Sequence, residues 1–167
     1  MNLFKNTLIA TALVAAGLAG TASAATDTRN FQVKINITES CLFSTSASSD
    51  LDFGNKARLS ANDVDSTSTL VVTCTNGTPY NIGLNAGTGS GATDTARKMT
   101  GPGGTVPYSL YKNTGRTQNW GDTGTNRVAG TGSGSAQTIT VYGRVLSADT
   151  GVSAGTYTDT ITATITY

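Results

Sequence analysis

Few side chains in this sequence could do chemistry. The chain has 167 residues and no histidine, which removes the commonest general base and the commonest metal ligand. Serines abound, but no Gly-x-Ser-x-Gly elbow presents one and no base stands ready to activate it. Asp50 with Asp52, and Asp63 with Asp65, are carboxylate pairs close in sequence. Paired carboxylates can serve acid–base hydrolysis, yet both pairs sit in polar, turn-like stretches where solvated Asp is the simpler reading. The glycine clusters lack a Gly-Lys-Ser/Thr ending and open no helix, so they are not phosphate loops. Asn36-Ile-Thr38 and Asn76-Gly-Thr78 match the N-glycosylation pattern, which we read as coincidence in a chain with a bacterial-looking start. No catalytic, cofactor or metal-binding role is expected of any residue.

The two cysteines, Cys41 and Cys74, take their meaning from the start of the chain. Lys5, the apolar run Leu8 to Gly20 and the small-x-small site Ala22-Ser23-Ala24 form a signal segment. The run is too short to span a bilayer. Cleavage after Ala24 leaves 167 − 24 = 143 residues, enough for one domain with no membrane span. An exported chain meets an oxidising compartment, so a Cys41–Cys74 disulfide is expected. Closing that loop stabilises a fold by roughly 3–4 kcal/mol in the chain-entropy model. The 11 basic and 10 acidic residues balance once Lys5 is removed. No positive excess remains to attract nucleic acid or anionic lipid.

The elements that would position these residues are strands. Leu, Ile, Val and Phe recur at period two between glycine-rich turns, and helix formers are scarce. Strands are expected at Phe31–Ile37, Leu51–Gly54, Leu70–Cys74, Tyr80–Leu84, Val106–Tyr111, Ile139–Val145 and Tyr157–Tyr167. Loops are expected at 87–91, 101–104 and 130–134, with a longer one, Asn113–Gly124, carrying Trp120. The result is an all-β sandwich or barrel. Those four residue types number only 25 after Ala24, a thin supply for a self-sufficient core.

The two ends carry the most information. Phe31, Val33, Ile35 and Ile37 line one face of a segment before the first cysteine. Ile161, Ala163, Ile165 and Tyr167 line one face of the last strand, with only Thr opposite. No charge, proline or bulge blunts that last stretch against edge pairing. Two readings fit. Either both end strands belong to a complete sandwich, or the sandwich has a groove beside its last strand, which a neighbour's N-terminal segment fills by strand addition. A separate possibility is a secreted carbohydrate binder or tip adhesin, with Trp120, Tyr108 and Tyr111 stacking on sugars instead of packing inside.

The ordered set Cys41, Leu51-Asp-Phe-Gly54, Cys74, Tyr80-Asn-Ile-Gly-Leu84, Tyr108-Ser-Leu-Tyr111, Trp120-Gly121, Tyr142-Gly-Arg-Val145 and Gly155-Thr-Tyr-Thr-Asp159 resembles the spore coat protein U domain family. That group includes major pilins of archaic chaperone–usher fimbriae. The resemblance implies an incomplete immunoglobulin-like Greek-key sandwich lacking its last strand, completed by donor-strand complementation. It implies residues 25–40 as donor segment, with Phe31, Val33, Ile35 and Ile37 as donor side chains, and 41–167 as the pilin domain. Ile161, Ala163, Ile165 and Tyr167 would form the acceptor strand, which also binds a periplasmic chaperone through the terminal carboxylate. Cys41 and Cys74 would be the family's disulfide. Partners would be copies of itself or sibling pilins, the chaperone and an outer-membrane usher. The product would be an extracellular fimbrium supporting adhesion and biofilm formation; a spore or cyst coat component is the family's other implication. Ser153 stands where a proline is expected before the final strand.

Overall fold

The computed structural model describes residues 24–59 and 61–167; the expected signal segment, residues 1–24, lies outside them except for Ala24. The chain falls into two units, Met1–Asn36 and Ile37–Tyr167. In the first, residues 24–36 are exposed and form no strand. This corrects the expectation of a strand at Phe31–Ile37: alternation supplies a face, but a strand also needs a backbone partner. Among the described residues, no helix is long and apolar enough to cross a membrane.

Among its described residues, the second unit is built from eight strands in two sheets. They are β1 (Cys41–Phe43), β2 (Val64–Cys74), β3 (Pro79–Leu84), β4 (Arg97–Gly101), β5 (Gly104–Tyr111), β6 (Val128–Thr131), β7 (Ala136–Val145) and β8 (Ala163–Thr166). The larger sheet has the order β1-β2-β7-β5-β4 and the smaller one β6-β3-β8. The pairings β2–β7 and β3–β8 join strands distant in sequence, the crossed connections of a Greek key. The β2–β7 ladder runs from Val64↔Val145 to Thr73↔Ala136. Its β-branched residues suit a pleated, half-buried surface, and Val64, Val72, Val141 and Val145 turn inward. Pro107 lies where β5 pairs with β4 alone, before pairing with β7 begins at Ser109; a missing N–H is tolerated there.

The core lies between the sheets. Val72, Ile82 and Trp120 are fully buried in it, with Cys74 and Leu84 close behind. Leu51–Gly54 is not the strand its alternation suggested. Asp52 accepts the Gly54 N–H on its side chain and the Ser66 hydroxyl on its carbonyl, so its polar groups form a turn rather than a ladder. Leu51 and Phe53 instead lie flat on Gly143 of β7, where a Cβ would stand 2.8 Å from Leu51. The last strand is also shorter than expected. β8 begins only at Ala163, because the chain at Thr158 pairs with Thr100 of the other sheet first.

Candidate functional site: the open edge of the last strand

β8 borders β3 on one side and, among the described residues, has no strand on the other. Its register with β3 is Leu84↔Ala163, Gly83↔Thr164, Ile82↔Ile165 and Asn81↔Thr166. The Asn85 N–H donates to the Thr162 carbonyl at 3.1 Å, so that pair is a hydrogen-bonded one. Antiparallel ladders alternate bonded and non-bonded pairs. The backbone groups of Thr164 and Thr166 therefore face β3, and those of Ala163 and Ile165 face the vacant edge. Side chains alternate at the same period. Ile161, Ala163 and Ile165 are half-buried toward the core, while Thr162, Thr164 and Thr166 are exposed. Ala163 and Ile165 thus combine an inward side chain with an outward, unpaired backbone.

A groove runs beside this edge between the two sheets. One part encloses about 580 Å³, with Leu70, Leu110 and Val141 from the large sheet, Leu84 from β3, and Ile161 and Ala163 among its walls. A second part of about 620 Å³ adjoins it at Leu51, Phe53, Met99 and Tyr157 and continues past Val64, Val106 and Val145. The half-buried apolar residues Leu70, Ile139, Ile161, Ala163 and Ile165 all pack on the buried core. Their partial exposure is what one missing strand would leave.

A polar knot lies behind the groove wall to which Leu84, Tyr108 and Asp159 contribute. Arg97 of β4 is fully buried. It donates to four carbonyls: Asn85 at 2.8 Å, Asp94 at 2.6 Å, and Leu84 and Trp120 each at 2.8 Å. Burial draws its pKa below the ordinary value, opposed in part by Tyr108, Asp94 and Asp159; a guanidinium stays charged nonetheless. Beside it the Tyr108 hydroxyl donates to Asp159 at 2.7 Å. Burial, and then that bond, push the phenol's pKa well above its usual value. Burial also disfavours the Asp159 carboxylate. The Thr88 N–H, the Tyr108 and Thr88 hydroxyls and the Thr160 N–H outweigh it and hold the carboxyl below the usual carboxylate range.

The other expected residues are placed as follows. Cys41 and Cys74 form the disulfide, as a directly opposed pair between β1 and β2. Tyr167 is 55% exposed and lies beyond β8, so it does not line the groove as Ile161 and Ala163 do. Phe31, Val33, Ile35 and Ile37 are 82, 86, 85 and 77% exposed, with no apolar cover. Trp120 is fully buried and Tyr108 is 7% exposed, so neither offers a face to a sugar; the Trp120 indole N–H donates to the Ile82 carbonyl at 2.9 Å. Trp120 and Tyr108 therefore pack inside, while Tyr111 is half-buried. Asp65 is spent on Arg144, two bonds at 2.7 and 2.9 Å, and on Arg116 at 3.2 Å. The Arg144 hydrogen bond comes first among the causes that hold its carboxyl below the usual range. Asp63 lies 3.7 Å from Arg144. Among the described residues, no group of three or more His, Cys, Asp or Glu side chains could hold a metal ion. The anchoring roles of Arg97 and Asp159 escaped sequence reasoning, since a polar anchor leaves no periodic signal.

Solved structures share this fold. One chain of the CsuC–CsuE chaperone–tip adhesion subunit pre-assembly complex, from the archaic chaperone–usher Csu pili of Acinetobacter baumannii, matches with a TM-score of 0.56 at 21% identity. The match covers 78% of this chain and 40% of that one. The P pilus rod subunit PapA matches with a TM-score of 0.52 at 18% identity, over 76% of this chain and 98% of PapA. At these identities the likeness is one of fold: the immunoglobulin-like sandwich of pilus subunits. No curated protein sequence matches the chain. The Spore Coat Protein U domain model matches residues 27–164, and the chain belongs to that family.

Proposed function

We propose that this chain is a structural subunit of a surface fimbria assembled by the chaperone–usher pathway through donor-strand exchange. One observation carries the reading: β8 leaves an open edge beside an apolar groove, while the same chain holds an alternating apolar segment with nothing covering it. Phe31, Val33, Ile35 and Ile37 of one copy enter the groove of the next, and the donor backbone pairs with Ala163 and Ile165. Four such side chains contribute roughly 6–12 kcal/mol on full burial, before ordering costs. That is comparable to the stability of a whole domain. The fold shared with a chaperone–subunit complex and a pilus rod subunit supports the same reading. Until the neighbour arrives, a periplasmic chaperone occupies the edge, and an outer-membrane usher mediates the exchange. Residues 25–40 are then the donor segment and 41–167 the pilin domain. The role is structural, and the assembled extracellular fibre supports adhesion and biofilm formation.

The test is a fusion carrying a second copy of residues 25–37 after Tyr167 through a flexible linker. It is expected to be a stable monomer, whereas the unfused mature chain self-associates or melts at much lower temperature. A dilute unfused chain that is monomeric and melts with the fusion refutes the proposal.

A further inference from the structure

We propose that the short tether between the donor side chains and β1 selects the partner: it keeps a subunit from filling its own groove in the antiparallel sense and leaves that groove to a second copy. This rests on the donor-strand reading above. A chain that carries both a donor segment and an acceptor edge holds its own donor at a high local concentration, so something must disfavour self-filling. Only Thr38, Glu39 and Ser40 follow Ile37 before β1 opens at Cys41. Ser40 is already fixed: its carbonyl accepts the Thr75 N–H at 2.9 Å, and its N–H donates to the Thr75 hydroxyl at 3.2 Å. The adjoining Cys41–Cys74 disulfide keeps β1 from peeling away to release more chain. From Ile37 to Ser40 the tether therefore spans at most about 11 Å.

The tether starts from the far end of the groove. Ser40 lies beside Thr75, at the turn that leads into β3 at Pro79. β3 pairs with β8 from Asn81↔Thr166 to Leu84↔Ala163, and the Asn85 N–H extends that register to the Thr162 carbonyl. The end of β8 is thus on Ser40's side of the sandwich, whereas Ile161 is level with Ala86, seven residues past Pro79. Seven strand residues cover about 23 Å. The strand pairings among the described residues are all antiparallel, and that is the slightly more stable kind. An antiparallel donor lays Ile37 at the Ile161 end and Phe31 at the Tyr167 end. In the chain's own groove this demands about twice the length that the tether spans. Drawn back until the tether reaches, Ile37 stands beside Ile165 and Ile35 beside Tyr167, and Val33 and Phe31 fall past Tyr167, outside the groove. A parallel donor fits within the tether but pairs less well. A neighbour's donor has no such limit and enters antiparallel.

Lengthening the tether tests this. About twelve Gly/Ser residues inserted between Thr38 and Glu39 make a flexible stretch whose ends average roughly 19–23 Å apart, the distance required. At micromolar concentration the lengthened mature chain is expected to fill its own groove, as a monomer that melts with the C-terminal fusion described above. A tethered donor acts at a millimolar effective concentration, roughly a thousandfold excess over the donors of neighbouring chains. The chain with its native tether should self-associate under the same conditions. In the lengthened chain, Asn36→Cys should form a disulfide with Thr162→Cys and not with Thr166→Cys, because antiparallel pairing brings the outward-facing residue 36 to the Thr162 end. A lengthened chain that self-associates as the native one does, while the fusion is monomeric, overturns the tether's role and leaves the donor reading standing. Trapping of Asn36→Cys by Thr166→Cys instead also overturns it, since parallel filling needs no added length. A fusion that itself self-associates removes the donor reading, and this inference with it.

Discussion

Replacing Arg97 with methionine probes how the backbone behind the groove wall is held. Methionine keeps an unbranched, adaptable stem and removes every donor. Four carbonyls then lose a partner, those of Leu84, Asn85, Asp94 and Trp120. The bonds to Leu84 and Trp120 are buried, whereas those to Asn85 and Asp94 are partly exposed and water can replace them. Two buried carbonyls left unpaired cost about 1–3 kcal/mol each, or roughly 2–6 kcal/mol together. Removing a desolvated cation returns part of that. The net loss expected is about 2–4 kcal/mol, a large share of a typical domain's stability. Urea unfolding of the self-complemented fusion measures it, as a lower midpoint at unchanged slope. A loss under about 1 kcal/mol would mean that the two carbonyls find other donors, and the argument for Arg97 would fail.

Three further outcomes are expected. Ile35→Asp should abolish fibres seen by electron microscopy while chaperone co-purification persists, because a carboxylate entering an apolar groove is costly and the chaperone uses the β8 edge; normal fibres would remove Ile35 from the donor. Trp120→Phe should destabilise the fusion by about 1–3 kcal/mol, because the smaller ring leaves a gap in the core and the indole's bond to the Ile82 carbonyl is lost, and leave a glycan-array signal unchanged; a specific glycan signal lost in the variant would restore the sugar-binding reading. The Asp159 carboxyl is held below its ordinary value near 3.8, so its stabilisation is present above that value and disappears as pH falls through the folded one. Acid titration of the fusion should therefore show a shallower loss of stability below about pH 4 in Asp159→Asn, and superimposable curves would contradict the assigned bonds.

Faces were more legible in the sequence than ladders were. From Tyr157 to Thr166 the half-buried and exposed residues alternate as the sequence suggests, although only Ala163–Thr166 is a strand. Side-chain parity is a local property, whereas pairing depends on which distant strand lies alongside. Phe31–Ile37 shows the same split, with a perfect alternation and no partner within the described chain. Three strands gave no warning. β4 starts with Arg97-Lys98, and charge disguises an edge strand. β6 contains Gly130, which reads as a loop, yet the Tyr80 ring lies over that glycine and replaces the missing side chain. β1 is three residues long and exists because Cys41 faces Cys74. The acceptor edge itself was visible as alternation; the knot of Arg97, Tyr108 and Asp159 behind it was not, since its members are far apart in sequence and joined only by the fold.

The placement of the disulfide has a mechanical consequence. In a fibre linked through N-terminal segments, tension enters each subunit just ahead of Cys41. The strand there spans only Cys41–Phe43 and would peel away easily if pulled alone. The Cys41–Cys74 bond passes the pull covalently to the end of β2. There it acts along the ladder from Thr73↔Ala136 to Val64↔Val145, so rupture requires many hydrogen bonds to shear together instead of opening one at a time. One sulfur bridge thereby turns a short, weak point of attachment into a grip on the longest ladder among the described residues.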